Sequence, residues 1–377
     1  MFAWLHKSDT SRSAGSYSIW APQIIDEAKS GPISEDAPPL FMSNPTAQCF
    51  VIGAFDGLGG SGARVLETET GRVTSAAHAA RLAANTTAAV LSELGFMRSP
   101  PSGASPSFAS RWTGAAAFRD ILNDRLRTDF KREADGIEPA VAALRGTLTR
   151  RLPTTACLLV VEAGSREHRV SAIWAGDSRA YIWTSERGLI QLSRDHARVD
   201  QDAFSSIRQD VPMTNFVGPD IPFHLDLHQA IVPTPLLAIC CSDGAFNYFP
   251  SPMEFEQAIL VSILESDGPP QMTENLRLCI RENTKDDVTL VLVVVNMGSW
   301  QNLCSRARAR WEKLAPLLAP IRSDARRAET ATRVWLAAKD EHEAATAKLE
   351  EVRVSGWDAY RRDYESLQPD RKVGRED

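Results

Sequence analysis

Cys49-Phe50-Val51-Ile52-Gly53-Ala54-Phe55-Asp56-Gly57-Leu58-Gly59-Gly60 is the stretch on which the reading of this chain turns. A short apolar run stops abruptly on an aspartate, and three of the next four residues are glycine. The run has the length of a buried strand and is too short to set a helix. Glycines directly after a strand let the backbone turn tightly and bring its amides and carbonyls close to a ligand. A carboxylate at the mouth of such a turn suits a hard divalent cation, although a strand ending in Asp-Gly is also an ordinary turn.

The totals narrow the setting. The chain has 377 residues, enough for one large domain with an appendage or for two modest domains. Hydrophobic residues make up 43% and charged residues 24%, as in a water-soluble globular protein. A net charge of −6 argues against general binding to nucleic-acid backbones. Cys49, Cys157, Cys240, Cys241, Cys279 and Cys304 lack metal-finger spacing, and several sit inside apolar runs, where reduced cysteine acts as a small hydrophobe. Met1 to Gly15 has no long apolar segment, so no signal peptide is expected, and no stretch approaches the length of a membrane span. A cytoplasmic protein in a reducing compartment, binding neither membrane nor nucleic acid, is expected.

Outward from the glycine turn, the chain alternates apolar runs with helical patterns. Residues 1–15 read as a flexible start, and Tyr17-Ser18-Ile19-Trp20 as a modest first strand. Glu35-Asp36 lies in a turn between Gly31-Pro32 and Pro38-Pro39. Thr74 to Leu94 reads as a helix capped by Gly95, Gly114 to Glu133 as a second, and Pro139 to Arg150 as a weaker third. Met97 to Ser110 reads as a long surface loop. Strands are expected over Pro153–Glu162, Arg169–Ala175, Arg179–Thr184, Pro235–Cys241 and Val288–Val295, with helices at Met253–Leu264 and Thr273–Glu282. Gly176-Asp177 between two strands predicts a hairpin.

A pattern of acids emerges. Asp56, Asp177 and Asp243 each sit at or beside a strand exit, and Asp286 and Asp287 sit at a strand entrance. In an antiparallel sheet, the exit of one strand lies beside the entrance of its neighbour. These acids can therefore gather at one end of a sandwich, where unneutralised charge would raise their pKa values and destabilise the fold. Oxygen-only ligation favours Mg²⁺ or Mn²⁺, with unrelated turn aspartates as the alternative.

From Trp300 the composition shifts to Ala, Arg and Glu. Pro316 and Pro320 predict one helix ending near Leu314 and a longer one from Ile321 to Val352. Gly356 is expected to break the pattern before a last piece, Trp357 to Leu367. Trp311, Leu314, Leu318 and Ile321 repeat at three-four spacing, with Ala325, Ala328, Thr332 and Trp335 continuing it. Two readings stand: a helical hairpin packed on the main domain, or a homodimer or partner surface over residues 300–367.

The ordered series Glu35-Asp36-Ala37, Asp56-Gly57-Leu58-Gly59-Gly60, Thr154-Thr155-Ala156, Ala175-Gly176-Asp177-Ser178-Arg179-Ala180-Tyr181, Asp195-His196, Cys241-Ser242-Asp243-Gly244 and Asp286-Asp287-Val288-Thr289 resembles the metal-dependent Ser/Thr protein phosphatases of the PPM (type 2C) family. It covers roughly Ser16 to Asn296. The resemblance implies an α+β fold, a four-layer α-β-β-α sandwich of two antiparallel sheets flanked by helices, here with a C-terminal α-helical extension. The expected organisation is a flexible N-terminus (1–15), a phosphatase domain (16–297), a helical extension (298–368) and a charged tail (369–377).

The resemblance also implies the site. Asp56 would bridge two core Mn²⁺ or Mg²⁺ ions, the Gly57 carbonyl would bind one of them, and Asp243 and Asp286 would complete the first position. Asp36, with Glu35 nearby, would hold the second, and Asp177 would support a third, weaker ion. Asp56, Asp243 and Asp286 are thus the expected catalytic acids. The implied activity is hydrolysis of phosphoserine and phosphothreonine in a phosphoprotein, by a metal-activated water, opposing a Ser/Thr kinase.

Three departures stand out. The family's phosphate-gripping arginine, five residues before the Glu-Asp acid, is replaced by Gly31, with Lys29 the nearest cation. A lysine lacks the two-pronged guanidinium contact, so another arginine must reach in or affinity for phosphate falls. Leu58 stands where many members have histidine, and the usual Asp-Asn pair is Asp286-Asp287, whose second carboxylate could tune the site. His196 is read either as a hydrogen-bonding anchor or as a general acid. The segment Ala197 to Pro212 falls where the family places a mobile flap, here short, which implies an open site. The alternative function is a catalytically weak, phosphatase-like binding module that uses the helical tail for partner contact.

Overall fold

The computed structural model describes residues 18–29, 34–68, 71–98, 111–137, 150–164, 166–197 and 212–364. The N-terminal fifteen residues, most of the loop Met97–Ser110, the helix expected before Arg150, the segment 198–211, Gly31 and the tail from 369 lie outside the described residues.

Among the described residues, two antiparallel sheets of five strands carry the fold. One has the order β1-β12-β11-β8-β9, built from β1 (Gln23–Glu27), β8 (Arg179–Thr184), β9 (Gly188–Gln191), β11 (Leu236–Cys241) and β12 (Val288–Val295). The other has the order β10-β7-β6-β3-β2, built from β2 (Leu40–Asn44), β3 (Cys49–Ala54), β6 (Ala156–Glu162), β7 (Glu167–Ala175) and β10 (Asp226–Pro233). A small hairpin, β4 (Val65–Thr68) and β5 (Gly71–Thr74), stands apart from both.

The opening stretch shows why four layers form. Side chains alternate across a strand, so a run that is apolar at every position needs cover on both faces. Phe50 and Ile52 point into the space between the sheets, where they meet Ile182, Ala238, Val291 and Val293. Val51 points the other way, into a core with Ala79 and Ala83 of α1 (Ser75–Glu93) and Phe118 and Leu122 of α2 (Ala115–Ala134). On the far sheet, Trp183 donates its indole N–H to Glu256 of α3 (Pro252–Leu264) at 3.1 Å. Thr273 of α4 (Pro269–Asn283) reaches Gln23 of β1 at 2.7 Å. The expected sandwich is therefore the observed one.

Helix ends follow local chemistry. The Thr74 hydroxyl accepts the Ala77 N–H at 3.1 Å and opens α1, and Gly95, at φ +90°, takes the left-handed conformation just past its end. Ile19 makes only a single bridge to Val295, and the first strand of the sheet starts later, at Gln23. Gln23–Glu27 ends in two acids and shows no apolar alternation at its exposed edge, which hid it.

Two expectations are corrected. Gly176-Asp177 is not a hairpin: β7 pairs with β6 and β10, whereas β8 pairs with β11 and β9. Both strands are apolar on both faces, so each takes an interior place in a separate sheet, and the chain crosses between sheets at Gly176. The C-terminal residues form one helix, α5 (Trp300–Tyr364), which runs through Pro316, Pro320 and Gly356. Each proline removes one backbone donor, but the orphaned carbonyls belong to Glu312 and Pro316, both exposed to water that can satisfy them. By its internal contacts the chain divides into a unit up to Leu314 and a unit from Ala315. Among the described residues, no helix is long and apolar enough to cross a membrane.

Gly176 sits at φ +112°, and a Cβ there would meet Thr155 Cγ2 at 2.6 Å. Gly176→Ala is expected to destabilise the fold by about 1–3 kcal/mol. Urea unfolding of the two proteins checks this, and equal midpoints would show that the crossing tolerates a side chain.

Candidate metal centre

Asp56 follows β3 and is pinned by the backbone of the neighbouring strand's entrance. Its N–H donates to Thr155 Oγ1 at 3.1 Å, while its carbonyl accepts from Thr154 Oγ1 at 2.7 Å and from the Thr155 N–H at 2.8 Å. The Thr-Thr pair thus fixes the direction in which the chain leaves β3. Gly57 is required by crowding: a Cβ there would lie 2.7 Å from the Ala76 backbone and would strike the Glu35 carbonyl.

The Glu35-Asp36 segment is held by Asp287. One Asp287 oxygen accepts the Lys29 N–H and the other accepts the Glu35 N–H, each at 2.7 Å. The second carboxylate of the Asp-Asp pair therefore braces the chain that delivers Asp36. It lines the same cavity, but both its oxygens are taken up by backbone. Asp36 itself is buried, and the neighbouring Ala37 N–H donates to the Phe55 carbonyl at 2.9 Å.

Asp243 opens a single 3-10 turn after β11, and Gly244 beside it packs so closely on the Asp287 carbonyl that no side chain fits. Asp177 lies in the crossing between β7 and β8, next to Ser178, whose hydroxyl is 2.7 Å from that of Thr155. Arg179, only 1% exposed, grips Asp195 with two nitrogens at 2.9 and 2.6 Å. That pair anchors the following His196. The His196 N–H donates to the Gly176 carbonyl, and its Nδ1 accepts the Gly176 N–H, both at 3.0 Å.

The result is one cavity of about 490 Å³ into which Asp36, Asp56, Asp177, Asp243 and Asp286 all face, with Gly57, Lys29 and Glu35 on its wall. Burial, reinforced by the charges of Asp36 and Asp243, pushes the Asp56 carboxyl well above the usual range. Burial and then the Asp243 charge raise Asp36 to about 7 and Asp177 to about 8, although a Ser242 hydrogen bond pulls Asp36 the other way. Burial likewise raises Asp243. Lys29 pairs with Asp286 at 2.9 Å and lies 3.8 Å from Glu35, and the Asp286 hydrogen bond pushes its ammonium up to about 12.

Whether these residues fit a metal can be tested on the protein atoms. Asp36 Oδ2 is buried with no hydrogen-bond partner among the described residues, a costly state for a carboxylate oxygen unless something else supplies positive charge. The acidic side chains that line the cavity are all carboxylates, with no histidine or cysteine among them, a set that suits a hard oxygen-loving cation. The residues fit.

His196 does not line this cavity. It stacks on Trp174 and, with His224, shares Asp226 at 3.0 and 3.3 Å. These three offer ligand atoms within 4.8 Å of one another, but Nδ1 of His196 is occupied by a backbone donor. In the neutral ring, Nε2 then carries the proton and donates to Asp226, which makes His196 an anchor for the Gly176 crossing. Residues that sequence reasoning missed at the cavity are Ser61, Arg150, Met213 and Phe216. Arg150 could have been found, because it lies four residues before the Thr-Thr pair that clamps Asp56.

No protein-family model matches the chain, and no curated protein does. Several solved structures are similar to it. PppA of Pseudomonas aeruginosa, described as a key regulatory component of T6SS, is 21% identical, with 74% of this chain and 96% of that chain covered and a TM-score of 0.45. The serine/threonine phosphatase of S. agalactiae is 16% identical, covering 74% and 99%, with a TM-score of 0.47. The catalytic domain of the serine/threonine protein phosphatase PstP, solved with 2 manganese ions, is 13% identical, covering 74% and 99%, with a TM-score of 0.45.

The raised carboxyls set a pH dependence for the metal-free protein. A carboxyl that the fold holds at about 7, against an ordinary value of 3.8, favours the folded state fully below the lower value, and this contribution is lost as pH rises through the higher one. In chelator, Asp36→Asn is therefore expected to gain stability over wild type between pH 5 and pH 8, by on the order of 2–4 kcal/mol. Unfolding midpoints at the two pH values measure it. An equal difference at both would show that Asp36 does not titrate in this window.

Proposed function

We propose that the chain is a Mn²⁺- or Mg²⁺-dependent protein Ser/Thr phosphatase that hydrolyses phosphoserine and phosphothreonine and opposes a Ser/Thr kinase. The observation that carries this reading is the gathering of Asp36, Asp56, Asp177, Asp243 and Asp286 around one cavity, with a buried Asp36 oxygen left without a partner. Asp56, the Gly57 carbonyl, Asp243 and Asp286 would hold one ion, Asp56 and Asp36 a second, and Asp177 would support a third, weaker one. Bound there, two such ions would lower the pKa of a water and offset charge on a phosphoryl group.

The chain's own residues do the rest. Thr154 and Thr155 hold Asp56 in place, Asp287 holds Glu35-Asp36, and the Arg179–Asp195 pair holds the crossing that carries Asp177. Precise placement of this kind lets an active site hold its ligands without reorganising during reaction. The chemistry of a covalent cysteine phosphatase finds no support here. Cys49, Cys157, Cys240 and Cys241 are buried, and burial pushes the Cys49, Cys240 and Cys241 thiols far above the range where a thiolate forms.

One observation favours the second reading, a catalytically weak binding module. The Lys29 ammonium sits on Asp286, so the chain itself partly neutralises one of the proposed ligands. Under that reading, the helical segment over residues 300–367 would supply contact with a partner or a second copy.

Hydrolysis of p-nitrophenyl phosphate and of a phosphothreonine peptide, with Mn²⁺, Mg²⁺ or chelator, decides between them. Wild type is expected to turn over only with metal, and Asp56→Ala and Asp286→Ala to lose roughly 10³-fold or more. Folded wild type that is inert with both metals would sink the phosphatase reading and leave the binding module.

A further inference from the structure

Arg150 has no part in the functional assignments drawn from sequence, yet it lines the acidic cavity. Its backbone N–H donates to the Ser61 carbonyl at 2.8 Å, which ties it to the glycine-rich turn that begins at Asp56. Its guanidinium lies over the Phe216 ring, 4.7 Å from the centroid, and that ring is itself 4% exposed. An aromatic face orients a guanidinium without consuming its N–H donors.

The neighbouring arginine shows the contrast. Arg151 is used by the fold: its Nε meets Asp220 Oδ1 at 2.8 Å, its backbone N–H meets Asp220 Oδ2 at 2.6 Å, and its Nη1 points to the Ala134 and Ile137 carbonyls. Arg150 has no carboxylate partner among the described residues, although the cavity it lines is rich in carboxylates. Lys29, the other cation on that wall, is engaged with Asp286 and Glu35.

We propose that Arg150, held by Phe216, is the cation that grips the phosphoryl group of the substrate. It would do so from the chain just before β6, in place of an arginine on the N-terminal segment. A guanidinium presents two parallel N–H donors to phosphate oxygens, a contact that the Lys29 ammonium cannot reproduce. The inference rests on the phosphatase reading for its substrate, but anion binding at Arg150 can be measured whether or not the protein hydrolyses anything.

The test is calorimetric binding of inorganic phosphate to the Mn²⁺-treated full chain, alongside KM and kcat for the phosphothreonine peptide. Wild type, Arg150→Ala, Arg150→Lys and Phe216→Leu are compared. Arg150→Ala is expected to weaken phosphate binding and raise KM by about 10- to 100-fold, with a smaller change in kcat. Arg150→Lys should recover only part of this, and Phe216→Leu should fall between wild type and Arg150→Ala. Thermal unfolding confirms that each variant is folded. Equal phosphate affinity in wild type and Arg150→Ala, or no phosphate binding by wild type, overturns the inference. Phosphate binding that depends on Arg150 without turnover would sustain it while the phosphatase reading fails.

Discussion

Like charge confined in a poorly hydrated space is the constraint around which this molecule is arranged. Four aspartates, Asp36, Asp56, Asp177 and Asp243, are buried so deeply that desolvation raises the pKa of each, and repulsion from a neighbouring carboxylate adds to it. No hydrophobic core would assemble them unaided, because each added carboxylate makes the next harder to ionise. The sandwich supplies the needed force. Strands that are apolar on both faces are fixed in register by two layers of packing, and their ends deliver the acids to one place. Stability lies in the body of the sheets, while strain is concentrated at one rim.

That rim is held by polar groups whose hydrogen bonds go to other parts of the protein. Asp287 accepts two backbone N–H groups from the segment carrying Asp36, and Thr154 and Thr155 take up the backbone of Asp56. Buried Arg179 and partly buried Asp195 form a two-pronged pair that secures the chain around Asp177. A buried ion pair is a modest source of net stability, but losing one partner leaves a charge stranded, at a cost of about 3–5 kcal/mol. Such pairs therefore favour one geometry over its competitors. Glycine at 57, 176 and 244 completes the arrangement by letting three backbones approach where any side chain would collide.

Much of this was legible in the sequence because its strongest signals report burial. The uninterrupted apolar runs of β3, β6, β11 and β12 and the capped pattern of α1 could be read directly, as could the acids at their ends. Strands β4, β9 and β10 escaped because they are short or edge-lying and half exposed, so that their residues are mixed in character. The Gly176 crossing was read as a hairpin because local sequence shows a turn but not which sheet receives the next strand. Pro316 and Pro320 suggested a break that the helix does not make, since composition cannot show whether the orphaned carbonyls face water. At the site, the acids were legible by residue type, whereas the bracing role of Asp287 depends on contacts more than 250 positions away in sequence.

The charge balance of the cavity bears on why it suits cations. Lys29 is protonated at neutral pH, and its hydrogen bond to Asp286 pushes its ammonium up further, to about 12. Among the described residues its ammonium pairs with Asp286 and Glu35, and it does so from a partly solvated position, with the side chains of Lys29 and Asp286 39% and 37% exposed. A pair that exposed contributes about 0–1 kcal/mol, too little to hold Asp286 against a divalent cation. Asp36, Asp56, Asp177 and Asp243 lie beyond the lysine's recorded contacts, and when ionised they present four negative charges. Protons can cancel them at low pH, at the expense of their ability to act as ligands. Divalent cations would cancel them at neutral pH and would also give the unpartnered Asp36 oxygen something to face. On electrostatic grounds, bound cations would relieve the strain that the fold builds into this rim without giving up the carboxylates as ligands.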